Sequence, residues 1–357
     1  MRAGTPLRER LLARILAEGP MTVADWMAEC LLDPRHGYYA TRDPLGAAGD
    51  FTTAPEISQV FGELVGLALG QAWLDRGRPA PVRLVELGPG RGTLMADALR
   101  ALRAVPGVLD AASVHLVEAS PALREVQARA LAGHAPAWAD RLEDAPEGFT
   151  LLVANEFLDA LPVRQFVRDG AAWRERVVGA REGRLAFGLS PPLSPGFLAE
   201  RLGDTAEGEV VEWRPAVPPL MAEVERRLLA HGGAALLIDY GGWRSRGDTL
   251  QAVRGHAYAD PLEAPGEADL TAHVDFEAVA RAAPGLRASG LTTQGAFLER
   301  LGATARAQAL ARGLDGEALA AAAAAHRRLT HPDEMGALFK ALGLARPGEP
   351  PLPGLDR

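Results

Sequence analysis

Short apolar runs, each followed by a segment of helical period, recur through the middle of the chain. The first runs from Arg83 to Leu87, with a helical pattern from about Thr93 to Ala104. The second covers Val114 to Glu118, with a helix from about Pro121 to Leu131. A weaker run lies near Pro136 to Leu142; a fourth covers Thr150 to Ala154 and a fifth Ala234 to Ile238. Near-continuous apolar strands separated by helices suit a parallel sheet covered on both faces. The pattern therefore predicts an α/β fold with an open, doubly wound sheet.

The flanks read differently. Leu7 to Ala17 carries apolar residues at helical spacing and stops at Gly19-Pro20. Thr22 or Asp25 can cap a second helix through Trp26 to Leu31, and a turn covers Pro34 to Tyr39. A loop from Asp43 to Asp50 leads to a helix from about Ile57 to Leu74. Val163 to Leu189 reads as two or three antiparallel strands with a turn at Asp169-Gly170. Pro191-Pro192 and Pro195-Gly196 are expected to break that pattern, and Glu209 to Trp213 adds a strand. Pro218 to Ala230, Phe276 to Ala283, Thr293 to Leu301 and Gly302 to His326 read as helices, with Arg244 to Asp269 a loop-rich excursion. The expected organisation is a helical and lid region over 1–80, a first half of the core over 81–160, a strand-rich insertion over 161–232, and a second half with added helices over 233–357.

Composition narrows the function classes. The 357 residues include one cysteine, Cys30, so neither an internal disulfide nor a cysteine-based zinc cluster can be built. Cys30 reads as a small buried hydrophobe. The formal net charge of −8 disfavours non-specific binding to nucleic acid. Lys340 is the only lysine, which argues against Schiff-base chemistry unless it serves. His256, His273 and His331 lack ligand spacing, so no metal is expected. His115 lies within a strand and reads as a core or sheet-face residue. No apolar run approaches a membrane span, and the first twenty residues contain Glu9 and Glu18 without a long apolar core. A cytoplasmic location is the expectation.

The chemistry concentrates after the first strand, in Glu86-Leu87-Gly88-Pro89-Gly90-Arg91-Gly92-Thr93. A dinucleotide fingerprint needs a small residue three positions after its second glycine, and that position holds Thr93. The third glycine comes one residue early, at Gly92. Glycine at every second position, after a strand carrying an acid, resembles the loop of class I S-adenosylmethionine (AdoMet) methyltransferases. AdoMet has no pyrophosphate, so the loop's task is close backbone approach, which glycine permits. Glu86 suits a ligand carrying a sulfonium and an ammonium. Glu118, ending the second strand, stands where such architectures bind ribose hydroxyls.

Ligands in open α/β sheets sit beyond the carboxyl ends of the strands, at the switch point between the first and fourth. There the chain carries Asn155-Glu156-Phe157-Leu158-Asp159. Base amino-methyltransferases have Asn/Asp-Pro-Pro-Tyr/Phe at this place; this chain keeps Asn155 but not the prolines. A carboxylate pair is the more natural partner of a guanidinium, and Glu156 and Asp159 share one face if the segment is helical. Asn155, Glu156 and Asp159 are the catalytic candidates. Tyr38, Tyr39, Asp50, Thr53 and Glu56 are lid candidates, with Asp50 and Thr53 on the cofactor. Asp239 and the stretch Asp269 to Phe276 are placed to border the cleft.

Seven stretches occur in an order that resembles the MidA-like family: GDFTTAPEISQVFGE, LVELGPGRGTLMADALR, HLVEASPALREVQ, NEFLDALPVRQF, ALLIDYG, PGEADLTAHVDF and MGALFK. That family comprises class I AdoMet-dependent methyltransferases whose mitochondrial members assist complex I assembly. The resemblance implies a Rossmann-like sheet with an N-terminal helical segment and a strand-rich insertion between strands four and five. It also implies a protein arginine methyltransferase making symmetric dimethylarginine, with the 49-kDa-type subunit of complex I as the mitochondrial target. It puts AdoMet on Gly88, Gly90, Gly92 and Glu118, with Asn155-Glu156 facing the substrate. A protein substrate and a homodimer are the expected partners. A small-molecule N- or O-methyltransferase and an AdoMet-binding assembly chaperone without turnover are the alternatives.

Overall fold

The structure, a computed structural model, describes residues 5–41 and 52–356. Its contacts divide the chain into two compact units. One lies within Thr52–Leu158, Pro218–Trp243 and Phe276–Arg357; the other lies within Met1–Phe51, Asp159–Val217 and Arg244–Asp275.

The first unit is built on a sheet of β1 (Val82–Leu87), β2 (Ala112–Val117), β3 (Ala137–Ala139), β4 (Phe149–Asn155), β5 (Gly233–Gly242) and β6 (Phe339–Ala345). Their spatial order is β6-β5-β4-β1-β2-β3; β3 through β5 run parallel and β6 antiparallel to β5. Two short strands, Arg287–Ala288 and Thr292–Thr293, also pair with β6. The apolar runs form strands because both faces are covered. Leu84, Leu151, Val153, Leu236 and Ile238 are at most 1% exposed, and each such burial contributes on the order of 2 kcal/mol.

The helices around this sheet include α1 (Gln59–Asp75), α2 (Thr93–Leu102), α3 (Pro121–Ala130) and α4 (Val217–His231). Ser58 caps α1 by accepting the Val60 N–H, and Ser120 caps α3 by accepting from Leu123, with Pro121 at its first position. Gly62, Gly66 and Gly70 let α1 press against α2: a Cβ on Gly66 would lie 2.6 Å from Ala98 Cα. Arg227 of α4 is almost fully buried and donates to the carbonyls of Leu142, Ala145 and Pro146. His115 is buried in β2, and its Nε2 lies 2.8 Å from Ser113 Oγ.

The second unit opens with the helix Pro6–Glu18, capped by Thr5 and burying Leu7, Leu11 and Ile15 along one face. Thr22 caps the helix Val23–Leu32 by accepting from Asp25. Arg164–Asp169, Ala172–Arg181 and Arg184–Leu193 form consecutive antiparallel strands, and Val210–Trp213 pairs with the first of them. Gln251–Arg254, Ala257–Ala259 and Asp269–Thr271 form a separate small sheet. Cys30 is fully buried here, and burial raises its thiol well above the ordinary range.

Three expectations are corrected, and one strand was not expected. Pro191 and Pro192 do not end their strand, which runs to Leu193; it pairs with Ala172–Arg181 and meets a register shift between Arg174 and Arg176. The helix expected over 57–74 is split by extended Ser58 into Ala54–Ile57 and α1. The helix expected over 302–326 is divided into Ala303–Leu310 and Gly316–Thr330, parted by Gly313 in the left-handed region. Strand β6 has no counterpart among the expected strands.

Candidate functional site

Sheet register brings the strand ends level. Leu87 pairs with Val117 and with Ala154, and Asn155 pairs with Ile238. The loop after β1 therefore stands between the ends of β2 and β4. Gly88, Gly90 and Gly92 all have positive φ, at 63°, 54° and 82°. At Gly88 a Cβ would also lie 2.6 Å from Phe157 Cδ2. Every second residue thus turns left-handed, which side chains resist, and the loop offers bare backbone to a ligand. Thr93 opens α2 and its hydroxyl donates to Glu56. The position where a dinucleotide loop needs a small residue is therefore used to tie two segments together.

Two acids flank the loop. Glu86 is 3% exposed, its Oε2 has no hydrogen-bond partner, and burial pushes its pKa up to about 8. Glu118 follows β2. Its Oε1 accepts the Ser120 N–H at 2.8 Å and its Oε2 accepts from Gln127 Nε2 at 3.2 Å. Burial raises its pKa, opposed by those hydrogen bonds and by Arg124. Gln127 closes the stretch HLVEASPALREVQ but was given no role there. It sits four residues after Leu123 on the buried face of α3, and a glutamine there is the one signal the sequence offers.

At the end of β4, Asn155 Nδ2 donates to Glu156 Oε1 at 3.1 Å, while buried Asn155 Oδ1 has no partner. Glu156 is a non-glycine residue at φ 50°, a conformation that costs on the order of 1 kcal/mol. Its Oε1 also accepts the Ala54 N–H at 2.8 Å, so this strained residue is held by the residue following Thr53. Thr53 precedes the short helix Ala54–Ile57, and its carbonyl accepts from Glu56 and Ile57. Asp239, in the part of β5 just beyond its pairing with β4, is buried and accepts the Leu158 N–H at 3.0 Å.

Asp159 does not fit the expected one-face arrangement. The chain from 156 to 163 is not helical, so a three-residue spacing from Glu156 does not align the carboxylates. Asp159 belongs to the second unit, where its Oδ1 accepts the Ala160 N–H and its carbonyl accepts from Ala272. Tyr38 and Tyr39 are also in that unit; the Tyr39 hydroxyl donates to Asp269 at 2.7 Å. Asp50 lies outside the described residues. Among the described residues no cluster of His, Cys, Asp or Glu is arranged for a metal ion, and no helix is long and apolar enough to cross a membrane.

The residues present suit AdoMet on an observation of their own. A left-handed glycine loop lies between two buried oxygens without partners, Glu86 Oε2 and Asn155 Oδ1. Such acceptors call for a donor-bearing cation, and AdoMet carries a sulfonium and an ammonium. Glu118 would hold its ribose and Glu86 its charged end. Fold and site together define an AdoMet-dependent methyltransferase of the Rossmann-like class.

Comparison with known proteins narrows this. The chain belongs to the family described as "Putative S-adenosyl-L-methionine-dependent methyltransferase", whose sequence model matches residues 64–296. It is 38% identical over 361 residues to Protein arginine methyltransferase NDUFAF7, mitochondrial, of Danio rerio, covering 93% of this chain and 85% of that one. It is 41% identical over 335 residues to the Mus musculus protein of the same name, covering 86% and 76%. A crystal structure of a COG1565 superfamily member from Burkholderia thailandensis, bound to S-adenosyl-homocysteine, superposes with a TM-score of 0.81 at 30% identity, covering 100% of this chain and 96% of that one.

Proposed function

We propose that this methyltransferase acts on an arginine side chain of a protein, with Glu156 as the group that receives the guanidinium. The observation that carries the reading is Glu156 itself, a strained carboxylate at the carboxyl end of β4, beside Asn155 and level with the glycine loop. When bound, AdoMet supplies an activated methyl group. A carboxylate engages the planar guanidinium fork and concentrates its charge on the bound nitrogens. Another nitrogen's lone pair would then be freer to take the methyl as its bond to sulfur breaks, with S-adenosylhomocysteine leaving and that nitrogen losing a proton, and alignment would supply much of the acceleration. Asn155 steadies the Glu156 carboxylate through its amide. The names of the relatives in fish and mouse support arginine as the acceptor.

The resemblance to the MidA-like family makes a complex I subunit the first target to test, with symmetric dimethylarginine as product; a homodimer and a cytoplasmic location are separate proposals, the latter resting on the composition of the first twenty residues. The test is transfer of labelled methyl from AdoMet to a lysate of cells lacking this gene, with acid hydrolysis to identify the labelled residue. Label on arginine that disappears with Glu156→Gln, while that variant still binds S-adenosylhomocysteine, is the expected result. Label found only in small molecules refutes the reading.

A further inference from the structure

Gln127 is fully buried in the first unit, and its amide makes three hydrogen bonds. Nε2 donates to the Gly90 carbonyl at 2.8 Å and to Glu118 Oε2 at 3.2 Å. Oε1 accepts the indole N–H of Trp138 at 2.8 Å. This network fixes which way the amide points. A flipped amide would set its oxygen against a carbonyl and a carboxylate, and its NH₂ against the indole donor. Short strand β3 supplies Trp138, helix α3 supplies Gln127, and the loop after β1 supplies Gly90, so three elements meet on one buried side chain. The Glu118 carboxylate is gripped from both sides, by Gln127 on one oxygen and by the Ser120 N–H on the other. A carboxylate oxygen accepts more than one hydrogen bond, so each retains capacity for a ligand hydroxyl.

We propose that Gln127, locked in orientation by Trp138, is a positioning residue for the cofactor: it aims the Glu118 carboxylate at the ribose hydroxyls and couples that aim to the glycine loop at Gly90. The inference rests on Glu118 as the ribose acceptor and is independent of the arginine substrate. Gln127→Leu keeps the volume and removes the donors. Glu118 then keeps the Ser120 N–H on Oε1 but loses its hold on Oε2, and the Gly90 carbonyl and the Trp138 N–H lose their Gln127 partner.

The test is calorimetric titration of the whole protein with S-adenosylhomocysteine, with 5′-methylthioadenosine, and with the 2′,3′-dideoxy form of that nucleoside. Wild-type protein should prefer the ribose form. Gln127→Leu should weaken S-adenosylhomocysteine by about ten- to a hundredfold, the size expected for a hydrogen bond to a buried charge, and should erase the preference between the two nucleosides. In turnover assays the KM for AdoMet should rise by a similar factor while kcat at saturation stays within about twofold. Trp138→Phe keeps an aromatic ring but frees the amide; it should move both quantities the same way, by about three- to tenfold. If Gln127→Leu does not fold, Trp138→Phe decides the matter alone. Unchanged affinity, or an equal loss on both nucleosides, overturns the proposal, because Gln127 would then only fill space under the loop. A wild-type protein that ignores the ribose hydroxyls removes Glu118 as their acceptor and the proposal with it, leaving the arginine reading untouched.

Discussion

Glu86 gives the sharpest energetic test of the site. Burial raises its pKa from an ordinary carboxylate value of 4.5 to about 8, and its Oε2 has no partner to offset the cost of ionisation. A carboxyl with a raised folded-state pKa binds its proton more tightly when folded than when unfolded. Stability is therefore lost as pH rises from about 4.5 towards about 8, where the unfolded chain ionises and the folded one resists. Between pH 5 and pH 7 those two pKa values predict a loss of about 2 kcal/mol through this one group. Glu86→Gln removes the titration, so the stability difference between variant and wild type should move by about 2 kcal/mol in the variant's favour over that interval. Urea unfolding of the ligand-free protein at both pH values measures this, and the comparison cancels every other titrating group the two proteins share. Binding AdoMet should draw the proton off, since a cationic ligand favours the ionised acid. Calorimetry in buffers of different ionisation enthalpy should then detect close to one proton released at pH 7 by wild type and none by the variant. A stability difference that is the same at both pH values would falsify the account of Glu86 as a desolvated acid awaiting a cation.

Two further outcomes are expected. Arg227→Met should cost about 3–5 kcal/mol in unfolding experiments, because it removes a buried donor shared by the carbonyls of Leu142, Ala145 and Pro146, leaving Leu142 only the Ala145 N–H; a loss below about 1 kcal/mol contradicts the arrangement. Burial pushes the Glu63 carboxyl up, but Arg306 and Arg100 outweigh it and hold the pKa below its usual value. Its contribution is then present above the unfolded-state value and fades as pH falls through the folded-state one, so Glu63→Gln should destabilise at pH 7 and progressively less in acid. An effect that grows towards low pH is the opposite sign.

What the sequence revealed follows from burial. Strands β1, β2, β4 and β5 were legible because sheet faces covered by helices demand continuous apolar runs, and the glycine loop because left-handed turns demand glycine. Strand β6 was not: Phe339-Lys340-Ala341-Leu342-Gly343-Leu344-Ala345 contains a charge and a glycine, and its run of Ala and Leu suits a helix as well as a strand. The Ala54 N–H that holds Glu156, and the amide that joins Gly90, Glu118 and Trp138, were illegible for another reason. They are hydrogen bonds between residues 9 to 102 positions apart on different elements or loops, and no helical or strand spacing encodes them. The left-handed backbone of Glu156 was hidden for a different cause: glutamate as a residue type predicts an ordinary conformation.

The strand order also has a consequence for how the chain is made. β5 pairs along β4, with Ala234 opposite Leu151, and β6 then covers the far edge of β5 from as late as Ala345. During synthesis β4 leaves the ribosome with one edge bare and waits for the next 80 or so residues. At ordinary elongation speeds that delay is on the order of ten seconds. All that time an apolar parallel strand stands open to any other extended chain. The second unit, whose antiparallel strands follow one another in sequence from Arg164 to Leu193, is emerging in that interval. Pulse-labelled nascent chains halted before residue 233 should therefore recruit chaperones more strongly than chains halted after 345.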